Sequence, residues 1–434
     1  MDMKKRSLFQ QTALLSCANF LVRALGFFMR IVFSRLMGAQ AVGLMELSSS
    51  VHALLITPVT SGVPMAVSRM VAQRQDASQQ RAVVRSAMKL ALAVSLALVL
   101  CFVPFLPLIS RLLGDTRTLP SLLLFLPCVP ILGLSAALNG YHYGCGSTLA
   151  PALSELLEQL IRFGVTIALL LTFSGAALAW RAAFPAAGTL IGETAGLVLM
   201  LLISMTLFTR PAASSQGLTR ALVRLAAPMT LMRLFSTAMR TVNSVMIPAR
   251  LQSSGLSAAE ATSLLGMLNG MAMPLMMTPS FITGALAMVS APALAQRQSS
   301  PRALRHVVRK VLASALLICC VCAVGMFVCA DFFAVTLYRQ HELAPLLRFL
   351  CPILPIMGLH QVVNAMLSGL GLQRHALYAS VIGSAFSLAG TYLLAAQPAL
   401  RLYGCAFGMI LGQSVTLCLN WITLRHSIPR ADAA

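Results

Sequence analysis

Ala72-Gln73-Arg74-Gln75 recurs as Ala295-Gln296-Arg297-Gln298, and Pro130-Ile131-Leu132-Gly133-Leu134 recurs in nearly the same register as Pro355-Ile356-Met357-Gly358-Leu359. Each Ala-Gln-Arg-Gln stretch follows a long apolar segment and precedes several basic residues. Weak internal repetition between apolar segments predicts a duplicated helical bundle, which is typical of membrane transporters.

The composition indicates a membrane protein. Apolar residues make up 58% of the 434 residues and charged residues 10%, whereas soluble domains have roughly 45–50% and about 25%. Twelve apolar runs of bilayer-spanning length predict an all-α membrane protein whose twelve transmembrane helices form two six-helix lobes around a central cavity. Because six is even, the lobes share one orientation and the repeat is parallel. The predicted boundaries are 1–210 for the N-terminal lobe, 211–224 for a cytoplasmic linker and 225–434 for the C-terminal lobe.

The net charge of +21 is explained by topology, and we expect no nucleic-acid partner. If the N-terminus is cytoplasmic, the inner segments hold more than twice as many Lys and Arg residues as the outer ones. This asymmetry follows the positive-inside rule. It predicts a multi-pass protein of the cytoplasmic membrane with both termini in the cytoplasm, and its basic loops are expected to contact anionic membrane lipids.

Catalytic signatures are missing from the sequence. The chain has no P-loop motif, and its predicted outer loops are too short to hold a catalytic centre. Cys319 and Cys322 are spaced as C-x-x-C, but they lie in an apolar helix without a second ligand pair. The sequence therefore predicts a protein that is not an enzyme and has neither a metal site nor a cofactor.

Arginines within predicted spans are the main candidates for function, because a central arginine costs about 2.5–3.5 kcal/mol even on the lenient insertion scale. Arg23 and Arg30 lie almost two helical turns apart, as do Arg233 and Arg240, so each pair shares one face of its helix. These faces are otherwise polar or small, which indicates helices that line a hydrated cavity. Guanidinium groups bind phosphate through paired hydrogen bonds, so we expect the four to bind a phosphate or pyrophosphate group. The alternative is that Arg30 and Arg233 extend to the membrane surfaces.

Carboxylates and amides within the spans supply the remaining candidates. Glu158 precedes Arg162 by one turn, in the favourable order for an ion pair, which is either a satisfied charge pair or a proton or sodium site. Asn139 and Asn364 occupy matched positions of the repeat and are predicted either to contact substrate or to bond neighbouring helices. The candidates for coupling or gating are Glu46, Glu158, Arg162 and Glu193.

Six motifs spread over the chain add a resemblance to these inferences. In chain order they are Val22-Arg23-Ala24-Leu25-Gly26-Phe27-Phe28-Met29-Arg30, Ser34-Arg35-Leu36-Met37-Gly38, Gly62-Val63-Pro64 with Ser68, Leu138-Asn139-Gly140-Tyr141 with Gly144, Glu158-Gln159-Leu160-Ile161-Arg162, and the stretch from Leu265-Gly266-Met267 to Pro274-Leu275. Together they resemble the stage V sporulation protein B-like flippases. These belong with the lipid II flippases and polysaccharide exporters in the multidrug/oligosaccharidyl-lipid/polysaccharide superfamily.

The resemblance implies a flippase that moves an undecaprenyl-pyrophosphate-linked glycan, such as lipid II or a polysaccharide precursor, by alternating access. It implies that Arg23 and Arg30 bind the pyrophosphate, and that cell-wall synthesis enzymes are candidate partners in cell-wall, spore-cortex or polysaccharide biogenesis. Two alternatives remain at this stage. One is a cation-coupled multidrug antiporter of the same superfamily, and the other is a non-transporting membrane partner of cell-wall enzymes.

Overall fold

A computed structural model describes residues 8–296 and 301–427, and the side chains at 8–20, 23, 288–289, 291–296 and 301–303 lie outside the description. Helices account for nearly all of the described chain, and no strand occurs in it, so the predicted all-α class is confirmed. The helices are α1 (Leu8–Met37), α2 (Ala39–Thr60), α3 (Val63–Ala72), α4 (Ala77–Phe102), α5 (Leu106–Leu112), α6 (Leu119–Phe125), α7 (Cys128–Gly144), α8 (Leu149–Thr172), α9 (Leu178–Ile203), α10 (Thr206–Thr209), α11 (Leu218–Ser253), α12 (Ala258–Leu265), α13 (Met273–Met276), α14 (Ser280–Gln296), α15 (Pro301–Val328), α16 (Leu343–Leu350), α17 (Ile353–Gly369), α18 (Gln373–Leu394) and α19 (Arg401–Ser427).

The chain is a multi-pass membrane protein. Within the described ranges, 7 helical segments are long and apolar enough to cross a bilayer, or 9 if two bent helix pairs each count as one span. Three more helices are long enough but lie outside this set, namely α1 with 30 residues, α8 with 24 and α11 with 36. These three carry the five arginines singled out above. The predicted count of twelve spans therefore stays a prediction.

Two compact units divide the chain, Met1–Val245 and Met246–Ala434. The division falls inside α11, so most of this helix packs with the first unit. The irregular segment that precedes α11 lies within the predicted linker. The predicted division into lobes at 211–224 remains a prediction.

Proline pairs coincide with breaks in the helices. Pro58 lies near the end of α2 and Pro64 in the first turn of α3, while Pro127 separates α6 from α7. In the second unit, the segment Ala258–Met276 bends by 50° into Ser280–Ala287, and α16 bends by 47° into α17. Proline lacks an amide hydrogen and its ring clashes with the preceding turn, which accounts for these interruptions.

Glycine seams join two neighbouring helix pairs. On α9, Gly188, Gly192 and Gly196 face α8, and a Cβ at Gly192 would lie 2.7 Å from the backbone oxygen of Glu158. Such small-residue spacing lets helix backbones approach closely. The second unit has the same spacing on α19, where Gly404, Gly408 and Gly412 face α18. Both seams carry the sequence pattern G-x-x-x-G-x-x-x-G.

Two basic residues of α4 bind main-chain carbonyls beyond α9. Arg85 donates from Nη2 to the carbonyl oxygens of Leu207 and Arg210, both at 2.6 Å, and Arg81 donates to that of Pro211 at 2.8 Å. Carbonyls at helix ends lack intrahelical partners. Arg81 and Arg85 therefore hold the start of the predicted linker against α4. Their positive charge also contributes to the asymmetry from which the membrane orientation is predicted.

Candidate functional site

A buried three-membered charge cluster occupies the interface of α8 and α9. Nη2 of Arg162 lies 2.5 Å from Oε1 of Glu158, one turn earlier on α8, and 2.7 Å from Oε1 of Glu193 on α9. Glu193 is buried, and the side chains of Glu158 and Arg162 are 16% and 21% exposed. The pair within α8 was predicted from its spacing. The partner of Glu193 was not predicted.

The glycine seam brings the three charges together. Gly188, Gly192 and Gly196 let the backbones of α8 and α9 touch, and Glu193 lies beside Gly192 in the sequence. The hydroxyl of Ser154 also donates to the carbonyl of Gly196 at 2.9 Å. Because α18 and α19 pack through a similar seam without charged residues, close packing does not itself require the cluster.

Polar atoms without partners surround the cluster. In the portion of the chain that the structure describes, Nδ1 of His52, Nε of Arg162 and Oγ1 of Thr166 are buried with no hydrogen-bond partner. His52 stacks on Phe125 with ring centroids 4.1 Å apart and lies within electrostatic range of Arg162. These three atoms place further polar groups beside the buried charges. With two carboxylates and one guanidinium, the cluster reaches neutrality on gaining one positive charge.

A second ion pair joins α1 and α2. Nη1 of Arg30 lies 2.9 Å from Oε1 of Glu46. Both residues are equally distant along the chain from Gly38, which turns the chain between the helices with φ of +80°. This left-handed conformation favours glycine, and it reverses the chain so that the two charges meet. The side chain of Arg23 lies outside the described residues, so its predicted role stays a prediction.

Arg233 and Arg240, two of the five arginines of α11, flank a threonine contact. The hydroxyls of Thr57 and Thr237 lie 3.4 Å apart, and Thr241 donates to the carbonyl of Ser50 at 2.9 Å. At 100° per residue, Arg233 and Arg240 lie about 40° and 60° from Thr237 around the helix. Both are exposed, and neither has an ion-pair partner among the residues that the structure describes. They are the unpaired cations nearest to this contact on α11.

The matched asparagines differ in their surroundings. Asn139 on α7 is half-buried, and its Oδ1 has no partner within the described part of the molecule. Asn364 on α17 is exposed, and its backbone carbonyl accepts from Ser368. Equal positions in the repeat therefore do not give the two residues equal environments.

The fold is that of multi-pass transporters and flippases. The chain superposes on an inward-facing multidrug resistance MATE family transporter of the MOP superfamily with a TM-score of 0.76 and 14% identity, covering 94% of each chain. It superposes on the lipid II flippase MurJ in an inward closed conformation with a TM-score of 0.71 and 14% identity, covering 95% of this chain and 87% of that chain.

The sequence identifies the family within this class. The polysaccharide biosynthesis protein family matches residues 8–298, so the chain belongs to that family, and the MatE family matches residues 251–393. Stage V sporulation protein B of Bacillus subtilis (strain 168) is 26% identical over 98% of this chain and 85% of its own length. The family resemblance inferred from the motifs is confirmed, and the two similar solved proteins are a transporter and a flippase rather than enzymes.

Proposed function

We propose that the protein is a flippase that moves an undecaprenyl-pyrophosphate-linked glycan from the inner to the outer leaflet of the cytoplasmic membrane by alternating access. In this proposal both termini are cytoplasmic. The flipped glycan is consumed by cell-wall or polysaccharide synthesis enzymes on the outer side, and the product serves cell-wall, spore-cortex or polysaccharide biogenesis.

The distribution of paired and unpaired charges supports an anionic substrate. Glu46, Glu158 and Glu193 each have an arginine partner within 3 Å. Arg233 and Arg240 have no carboxylate partner among the described side chains. Unpaired cations in a membrane helix need water or an anionic ligand. Arg233 and Arg240 are therefore available to bind an anion.

Pyrophosphate fits the spacing of these arginines. Arg233 and Arg240 are separated by about 10 Å along α11, at 1.5 Å per residue. Each guanidinium can form two parallel hydrogen bonds with phosphate oxygens, and flexible side chains shorten the distance between them. Arg23 and Arg30 are the proposed counterparts on α1, while Asn139 and Asn364 are proposed to contact the glycan.

The cluster of Glu158, Arg162 and Glu193 is proposed to couple transport to a proton or small cation. Uptake of one positive charge would neutralise the cluster and release Arg162 from one carboxylate, which changes the charge that the α8–α9 pair presents during transport. Glu46 is proposed to act as a gate, because breaking its ion pair would free Arg30 for substrate.

A cation-coupled multidrug antiporter is the second candidate, and the MATE-like fold favours it. Export of cationic drugs would require an available carboxylate in the binding region. The three glutamates named above all contact an arginine, and Glu158 and Glu193 share one, so these side chains leave at most one carboxylate charge uncompensated. This makes the candidate the weaker one.

A leaflet-accessibility assay for lipid II in membranes with and without the protein tests the proposal. We expect Arg233→Gln with Arg240→Gln to abolish flipping without reducing membrane insertion. The matched control is Arg224→Gln, since Arg224 is an exposed cation near the start of the same helix. Unchanged flipping in the double variant would reject the binding role. Ethidium export by cells that express the protein, without lipid II flipping, would favour the second candidate.

A further inference from the structure

A large groove on the second unit combines apolar walls with a basic end. Its volume is about 1380 Å³, which exceeds the roughly 300–1,000 Å³ of most small-molecule pockets. α15 and α19 form the walls, and Leu359 and Val363 of α17 lie between them. Val363 is fully buried in a core cluster that includes α15 residues, so the floor of the groove is well packed.

The basic groups of the groove lie at one end. Arg305 and Arg309 belong to the second and third turns of α15, while Arg425 and His426 belong to the last turn of α19. No Asp or Glu occurs among the described residues that line the groove. The described lining of this end therefore carries positive and no negative charge, and it is complementary to an anion.

The rest of the groove wall is apolar and open to the surroundings. Leu316, three turns after Arg305 on α15, is 43% exposed, and Trp421 and Ile422, one turn before Arg425 on α19, are 41% and 51% exposed. From Arg309 to Leu316 the apolar wall extends about 10 Å along α15, at 1.5 Å per residue. This length is about two thirds of one leaflet of a hydrocarbon core about 30 Å thick. A molecule that fits has an anionic head and apolar chains that run at least this far into the membrane.

We infer that this groove binds one anionic phospholipid. The phosphate of its head group lies against the guanidinium groups of Arg309 and Arg425, and its acyl chains lie along Leu316 and Ile422. Basic pockets between membrane helices recognise anionic head groups through charge, and guanidinium forms paired hydrogen bonds with phosphate. The site is separate from the arginines of α11 and does not depend on the transported substrate.

Trp421 provides a direct readout of this site. The chain has two tryptophans, so a Trp180→Phe background leaves Trp421 as the single strong fluorophore. In bilayers of zwitterionic lipid, brominated phosphatidylglycerol should quench Trp421 at a severalfold lower mole fraction than brominated phosphatidylcholine with the same chains. Equal quenching by the two lipids would overturn the inference.

Charge variants identify the contacts. Arg309→Gln with Arg425→Gln should weaken the preference for phosphatidylglycerol by about fivefold per arginine removed, at low salt. Lys310→Gln is the matched control, because Lys310 is exposed on the same helix but does not line the groove, and it should leave the preference unchanged. If the double variant fails to fold, Arg425→Gln alone gives the same comparison. An equal response of the Arg and Lys variants would count against the site.

A soluble competitor distinguishes a lipid site from a simple anion site. Inorganic phosphate at millimolar concentration should not reverse the quenching by phosphatidylglycerol, because it lacks the acyl chains that contact Leu316 and Ile422. Full reversal by phosphate would show that the groove holds soluble anions, and the lipid inference would fail. None of these readouts depends on flipping activity, so they can succeed or fail independently of the proposed function.

Discussion

The guanidinium of Arg162 lies 2.7 Å from the carboxylate of Glu193 on the neighbouring helix, and it also binds Glu158 on its own helix. One cation thus contacts two carboxylates, of which Glu193 is buried. Breaking a buried pair by removing one partner leaves an uncompensated charge, which usually destabilises a protein strongly.

Arg162→Met is therefore expected to lower the stability of the protein by about 3–5 kcal/mol. The apparent melting temperature in detergent measures this loss. Adding Glu193→Gln to the same variant should recover part of it, since only one carboxylate then remains. A double variant that is no more stable than Arg162→Met would show that charge compensation is not the main role of Arg162.

Gly192→Ala should separate α8 from α9. Its methyl group would press on the backbone of Glu158 and the side chain of Arg162, and overpacking of this kind costs about 1–3 kcal/mol. Gly164→Ala is the matched control, because nothing lies within 4 Å of a Cβ at that position of α8. Thermal unfolding of the two variants should give a clear loss for the first and no loss for the second. A similar response of both would contradict the close seam.

Arg30→Gln distinguishes a structural ion pair from a substrate contact. If Arg30 serves only to neutralise Glu46, the double variant with Glu46→Gln should transport as well as the unmodified protein. We expect instead that flipping stays lost in the double variant, because the proposed phosphate contact needs the guanidinium itself. Recovery of flipping in the leaflet-accessibility assay would remove Arg30 from the substrate site.

Arg85→Ala is expected to weaken the attachment of the linker to the first unit. Its guanidinium binds the carbonyls of Leu207 and Arg210, and hydrogen bonds that involve a charged group contribute about 1.5–3 kcal/mol. Lys89→Ala removes the same charge four residues later on α4, where the side chain is exposed. Faster proteolysis within 210–217 for Arg85→Ala but not for Lys89→Ala would agree with this role, and equal rates would argue against it.

Sequence reasoning predicted features that depend on composition and local spacing. The apolar content predicted the all-α membrane class, and the four-residue interval predicted the pair of Glu158 with Arg162. The contact of Arg162 with Glu193 depends on which faces of α8 and α9 meet. The glycine spacing identifies the packing face of α9, but it does not identify α8 as the helix packed against that face. Arg30 and Glu46 meet because the chain reverses at Gly38, so turn geometry rather than helical periodicity would have predicted this pair.

Some matched positions of the repeat also turned out to have different environments. Asn139 is half-buried and Asn364 is exposed, although the two residues occupy matched positions when the halves of the sequence are aligned. Exposure depends on the helices that pack around each residue, and the position of a residue in the repeat does not determine these.

The glycine seams have a mechanical consequence. Where the backbones touch, no side chain between the helices can change rotamer to let one helix slide past the other. The pair α8 and α9 and the pair α18 and α19 should therefore each move as one rigid body. Conformational change should then occur at the bent segments, such as the 50° bend between Met276 and Ser280 and the 47° bend between α16 and α17. Rigid helix pairs and hinges therefore alternate along the chain. Spin labels on the two sides of a bend should change their separation during transport, whereas labels on the two helices of a glycine seam should not.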